Sequence, residues 1–144
     1  MDGEALLDAV ARGIRRRVEE RARAEERLAR FVFREGEPPA PTPGGATASD
    51  WRYFVARTLR EAGEPGTLAL LERIGPDGRR LAELADGPPG STDRSALADR
   101  VGRLSQAGLL GRELETDRVT LTPLGEALLA LADELARRAG EVTP

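Results

Sequence analysis

The 144-residue chain contains no cysteine, no histidine and no lysine, and all 22 of its basic residues are arginine. Without cysteine there are no disulfides, no zinc-finger spacing and no thiol sensor, so an oxidising compartment is not required; without histidine there is no imidazole catalysis. General acid-base work would fall to Asp, Glu or Tyr53, and no pair of carboxylates stands out from the charged background. Neither a P-loop nor a dinucleotide glycine pattern occurs, and GEPG and GPPG read as turns. The expectation is a non-enzyme with no cofactor and no metal. Long apolar runs are missing too. The N-terminal MDGEALLDAVARGIRRR puts acid first and never becomes continuously apolar, which predicts neither a secretory signal nor a membrane span, and hence a cytoplasmic location.

What is present is charge. The 22 arginines face 25 acidic residues for a net charge of −3, whereas the footprint of nucleic acid is a net basic domain. Any DNA binding must therefore come from local placement of arginine. The exclusive use of arginine is better explained by genomic base composition than by selection for guanidinium chemistry.

The length suits one compact domain plus an extension. Residues 1–34 are rich in Ala, Leu, Arg and Glu and predict an N-terminal helix, a dimerisation or packing arm. Leu7, Val10, Ile14, Arg17, Arg21, Ala24, Leu28 and Phe31 fall on one seam, interrupted by its two arginines. The other face alternates in charge sign and reads as solvated. Residues 35–49 are a Pro/Gly-rich linker. Ser49 or Asp50 is the expected cap of the next helix, which ends at Gly63 and presents Trp51, Phe54, Val55 and Leu59 on one apolar face. Core packing is the plain reading of its aromatics; a small-molecule pocket lined by Trp51 and Tyr53 is the alternative.

Residues 50–140 then read as a domain of helices and one β-hairpin. Leu68, Leu71 and Ile74 mark a helix that GPDG breaks before RRLAELAD begins another, burying Leu81 and Leu84. After GPPG, Ser91 or Thr92 caps a helix with Asp93 in its first turn and Leu97, Val101 and Leu104 facing the core. At 100° per residue, Ser95, Ala96, Asp99, Gly102 and Arg103 point away, with Arg94 and Arg100 on the flanks. Gly108 suits the left-handed residue beyond that helix. LLGRELE and RVTLT alternate as strands around a tip at Thr116 and Asp117, and Thr122 and Pro123 start a last helix with Leu124, Leu128, Leu131 and Leu135 as a stripe. A stripe of that length is a reasonable dimer surface. The fold class expected is mostly α with a small β-hairpin, a winged helix-turn-helix domain plus extra N-terminal helices, an order in which the second helix is usually offered to DNA.

Three strings carry a family likeness: RRLAEL, RSALADRVGRLSQAGLL and RVTLTPLGEALLAL, in that order and spacing over about half the chain. They resemble the winged-helix transcription regulators of the HxlR type and, more loosely, the MarR and PadR types. The resemblance implies a dimer that binds double-stranded DNA, with the helix around residues 92–107 in the major groove and the hairpin beside it, and a small-molecule effector as a further partner. This chain lacks that family's N-terminal cysteine, which removes thiol sensing. Its GEPG stands where the family has G-K-W, and its wing is shorter and acidic.

The function expected is therefore a sequence-specific bacterial transcription regulator, a homodimer. Arg94, Ser95, Asp99, Arg100 and Arg103 would form the DNA face, and Arg112 and Arg118 would meet phosphates. The competing expectation is a winged-helix module that binds a protein or a small molecule and does not use DNA.

Overall fold

The computed structural model describes residues 2–32, 47–85 and 94–141, with the side chains of 28–32 outside that set. The elements run α1 (Gly3–Val32), α2 (Ala48–Ala62), α3 (Thr67–Ile74), β1 (Arg79–Arg80), α4 (Leu81–Ala85), α5 (Arg94–Gln106), β2 (Leu110–Glu113), β3 (Arg118–Leu121) and α6 (Pro123–Glu141). The protein is thus mostly helical with a small antiparallel sheet of order β1-β3-β2. The expected turn GPPG, the caps Ser91 or Thr92, Asp93, and most of the Pro/Gly-rich stretch lie outside the described residues. Among those described, no helix is long and apolar enough to cross a membrane.

The long α1 is supported along its exposed side by ion pairs one turn apart, Arg16 with Glu20 at 3.1 Å and Arg21 with Glu25 at 3.3 Å. Its buried face is Leu6, Val10 and Ile14; Leu7, expected on the seam, is 61% exposed. The register shifts because α1 lies antiparallel on α6, with Gly3 near Arg138 and Gly13 against Leu124, and residues spaced by four from Leu6 meet that partner. A Cβ on Gly13 would stand 2.8 Å from Leu124 Cδ1, so this glycine permits the close crossing. The arm is therefore part of the core, which joins Val10 and Ile14 to Leu71, Val101, Leu109 and Val119. It also covers the start of the α6 stripe. Leu124 and Leu128 are buried within the one chain, and only the far end, Leu135, is left 60% exposed.

Helix α2 takes in the last two residues of the expected linker, 48 and 49, and its cap is Thr47 rather than Ser49 or Asp50. Thr47 and Asp50 form a reciprocal capping box: the Asp50 amide donates to Thr47 Oγ1 at 3.3 Å and the Thr47 amide donates to Asp50 Oδ2 at 2.9 Å. The backbone and hydroxyl of Thr47 hold the Asp50 carboxyl below the usual carboxylate range. The inner face is Phe54, Thr58 and Ala62, whereas Val55 and Leu59 point outward at 39% and 50% exposure. Thr58 tolerates burial because its hydroxyl donates to the Phe54 carbonyl at 3.0 Å. On α3 the buried set is Thr67, Leu70, Leu71 and Ile74, with Leu68 turned out.

Arg79 and Arg80 open no helix. They form β1, paired with β3 as Arg79 opposite Val119 and Arg80 opposite Arg118. Gly75 and Gly78 make the preceding turn at φ +68° and +76°, and a Cβ on Gly78 would lie 2.7 Å from the Val119 carbonyl oxygen. Glycine there brings the two backbones together. A strand of two residues has no alternation to read, which is why the expected two-stranded hairpin is in fact a three-stranded sheet.

Candidate nucleic-acid interface

Helix α5 buries Leu97, Val101 and Leu104, at 5%, 0% and 3% exposure, as its spacing predicts. It ends in a Schellman turn: the Gly108 amide donates to the Ser105 carbonyl at 3.1 Å and the Leu109 amide to the Leu104 carbonyl at 3.0 Å, with Gly108 at φ +84°. The burial of one stripe and the fixed C-terminus set the rotation of the helix. Arg94, Ser95, Ala96, Asp99 and Arg103 are consequently exposed.

Arg100 departs from expectation. Its guanidinium folds back onto the α2–α3 corner, where Nη2 donates to the Pro65 carbonyl and, at 3.0 Å, to Thr67 Oγ1, while Nε is buried without a partner. Gly66, at φ +82°, leaves room for it: a Cβ there would come 3.3 Å from Arg100 Nη1. Arg100 is a structural tie between α5 and the start of α3, and it leaves the outward surface to its neighbours. Arg103 keeps 60% side-chain exposure, with Glu64 Oε2 at 3.8 Å. A pair this long and exposed is worth at most about 1 kcal/mol, so Arg103 can be drawn to a stronger partner.

The two hairpin arginines are held within the chain. Arg112 donates to Asp117 Oδ1 through Nε at 3.1 Å and Nη2 at 2.7 Å, across the turn that closes β2 and β3. Arg118 donates to the Asp77 carbonyl. The turn spans 114–117, with Asp117 at φ 56° and Leu114 82% exposed between Glu113 and Glu115. The hairpin therefore presents a leucine flanked by carboxylates more openly than it presents its cations.

Gly102 sits mid-helix on α5, and nothing lies within 4 Å of where its Cβ would stand. Packing does not require glycine there. Gly102→Ala is expected to raise stability by about 0.5–1 kcal/mol in urea unfolding, the usual cost of glycine inside a helix; a loss of stability would mean that α5 is packed on that side.

Trp51 and Tyr53 are not among the residues that line the cavity between α1, α2 and α5. Trp51 lies edge-on to Phe54, centroids 5.7 Å apart, with the Arg15 guanidinium 5.0 Å over its ring, and Tyr53 is 62% exposed. That cavity, of about 350 Å³, opens between α1, α2 and the end of α5, one face further round α2, where Phe54, Thr58 and Glu61 line it. Its cationic side is Arg17, Arg21, Arg57 and Arg103. The sequence signal for it was the pair Arg17 and Arg21 set into an otherwise apolar seam. Comparison with protein-family models, curated proteins and solved structures gives no match to this chain.

Proposed function

We propose that the protein is a sequence-specific DNA-binding transcription regulator of winged helix-turn-helix architecture that acts as a homodimer in the bacterial cytoplasm, with α5 as the helix that enters the major groove. The observation that carries the reading is that Leu97, Val101 and Leu104 are buried together while Arg94, Ser95, Asp99 and Arg103 face outward, beside an antiparallel hairpin. The order α3, β1, α4, α5, β2, β3, α6 and the sheet order β1-β3-β2 support it.

Arg103 is suited to a bidentate contact with guanine O6 and N7, and Ser95 to a base edge or a phosphate. Asp99 can accept from a cytosine amino group or orient Arg103 one turn on. Arg94, at the N-terminal end of the helix, is placed for phosphate. The open side of Gly102 lets the helix backbone approach the groove floor, so the stabilising Gly102→Ala substitution would weaken DNA binding. Exposed Leu7 and Leu135, at the same end of the antiparallel α1–α6 pair, are apolar surface for a second copy.

Fluorescence anisotropy with labelled genomic fragments, titrated with salt, is the direct test. Binding is expected at low salt, falling steeply as salt rises. Arg103→Ala should cost about 1–3 kcal/mol at the preferred site and relax its specificity. Arg94→Gln should weaken all sequences alike and flatten the log-log salt slope by about 0.9 for each phosphate that Arg94 neutralises. If no genomic fragment is retained at low salt, the DNA reading fails. A second reading, a winged-helix module that binds a protein instead, is favoured by the hairpin: both of its arginines are occupied and Leu114 projects between two glutamates.

A further inference from the structure

We infer that the cavity between α1, α2 and the end of α5 binds a small organic carboxylate, its apolar body against Ile14, Val18 and Phe54 and its anionic group among Arg17, Arg21 and Arg57. This site goes beyond the DNA reading and does not depend on it.

The cavity holds about 350 Å³, within the range that small-molecule sites occupy. Its lining is divided by chemistry. Ile14 and Thr58 are buried and Val18 and Phe54 half-buried, whereas Arg21, Arg57 and Arg103 are exposed. An apolar body can be desolvated inside while a charged head stays near the mouth.

The charges decide the sign of the ligand. Four arginines line the cavity against two glutamates, Glu25 and Glu61, a local excess of two positive charges on a chain whose net charge is −3. Glu25 is already held by Arg21 at 3.3 Å, and Arg103 leans on Glu64. Among the described residues, Arg17 and Arg57 have no carboxylate within ion-pair distance.

Of the four arginines, Arg17 is the half-buried one. Its stem packs over Gly108, the turn that ends α5, where a Cβ would collide with Arg17 Cδ. Burial lowers its pKa from the ordinary arginine value, and the nearby Arg21 and Arg57 add to the effect against the opposing pull of Glu20. Since a guanidinium does not give up its proton in a protein, the crowding is relieved by an anion rather than by deprotonation. Guanidinium forks match the two oxygens of a carboxylate. The apolar lining separates this site from one for inorganic phosphate, which would leave Ile14, Val18 and Phe54 without a partner.

The test is isothermal titration calorimetry of the full chain with 2-naphthoate, its neutral isostere 2-naphthamide, and inorganic phosphate. Naphthoate is expected to bind one to one, at least tenfold tighter than the amide or phosphate. Arg57→Gln is exposed and should not disturb folding; it should weaken naphthoate at least tenfold. Arg17→Gln should do the same, checked for an intact fold by circular dichroism, and Glu25→Gln should tighten binding by freeing Arg21. Equal binding of acid and amide, equal binding of phosphate, unchanged affinity in Arg57→Gln, or no heat up to millimolar naphthoate would each overturn the inference. Arg103 is left unaltered and no DNA is present, so this result and the DNA result stand or fall separately.

Discussion

Gly125→Val is expected to destabilise the protein by about 3 kcal/mol or more, at the upper end of overpacking costs, and to lower its unfolding temperature by on the order of 10 °C. Gly125 lies in the first turn of α6, and a Cβ there would run into the carbonyl oxygen of Leu109. That oxygen cannot step aside, because it accepts the Thr122 amide at 3.1 Å. Thr122 in turn donates its hydroxyl to the Gly108 carbonyl at 2.5 Å and accepts the Gly125 amide at 3.1 Å. The end of α5, the start of β2 and the start of α6 thus meet at one knot of backbone, and a side chain at Gly125 must break some of its bonds. Urea unfolding followed by far-ultraviolet circular dichroism measures the effect. An unchanged midpoint would mean that α6 does not begin against Leu109.

The second large effect concerns whether α1 is an arm or part of the domain. Ile14 is 4% exposed and belongs to the same core as Leu71 and Val101. Ile14→Ala is therefore expected to cost about 2–3 kcal/mol in a single cooperative transition. The value falls toward the lower part of the range for such truncations because Ile14 already borders a cavity, so the change enlarges an existing space instead of opening a closed one. Were α1 a separate arm, the main transition would not move and only a local loss of helicity would appear.

The Gly13 and Gly102 pair shows why a residue type alone does not predict its role. Both are single glycines inside helices, with the same propensity cost. Leu124 crowds the first, and open space surrounds the second. The helices themselves were legible because periodicity, caps and breakers are local: the α5 stripe, the left-handed Gly108 and the Thr122–Pro123 start all follow from nearest neighbours in the chain. The rotation of α1 and α2 was not, since Leu6 and Leu7, or Thr58 and Leu59, differ by one position and only the partner helix selects between them.

On its own, then, the chain determined a largely helical molecule with an antiparallel hairpin, and the outward set Arg94, Ser95, Asp99 and Arg103, because these depend on spacing within one element. Tertiary structure alone decided that Arg100 is tied to Pro65 and Thr67, that Arg112 and Arg118 are held by Asp117 and Asp77, that Arg79 and Arg80 pair with β3, and that arginines from three helices surround one cavity. The physical reason is reach. A guanidinium on its long stem chooses among partners brought close by folding, and no local pattern in the sequence states which partners those will be.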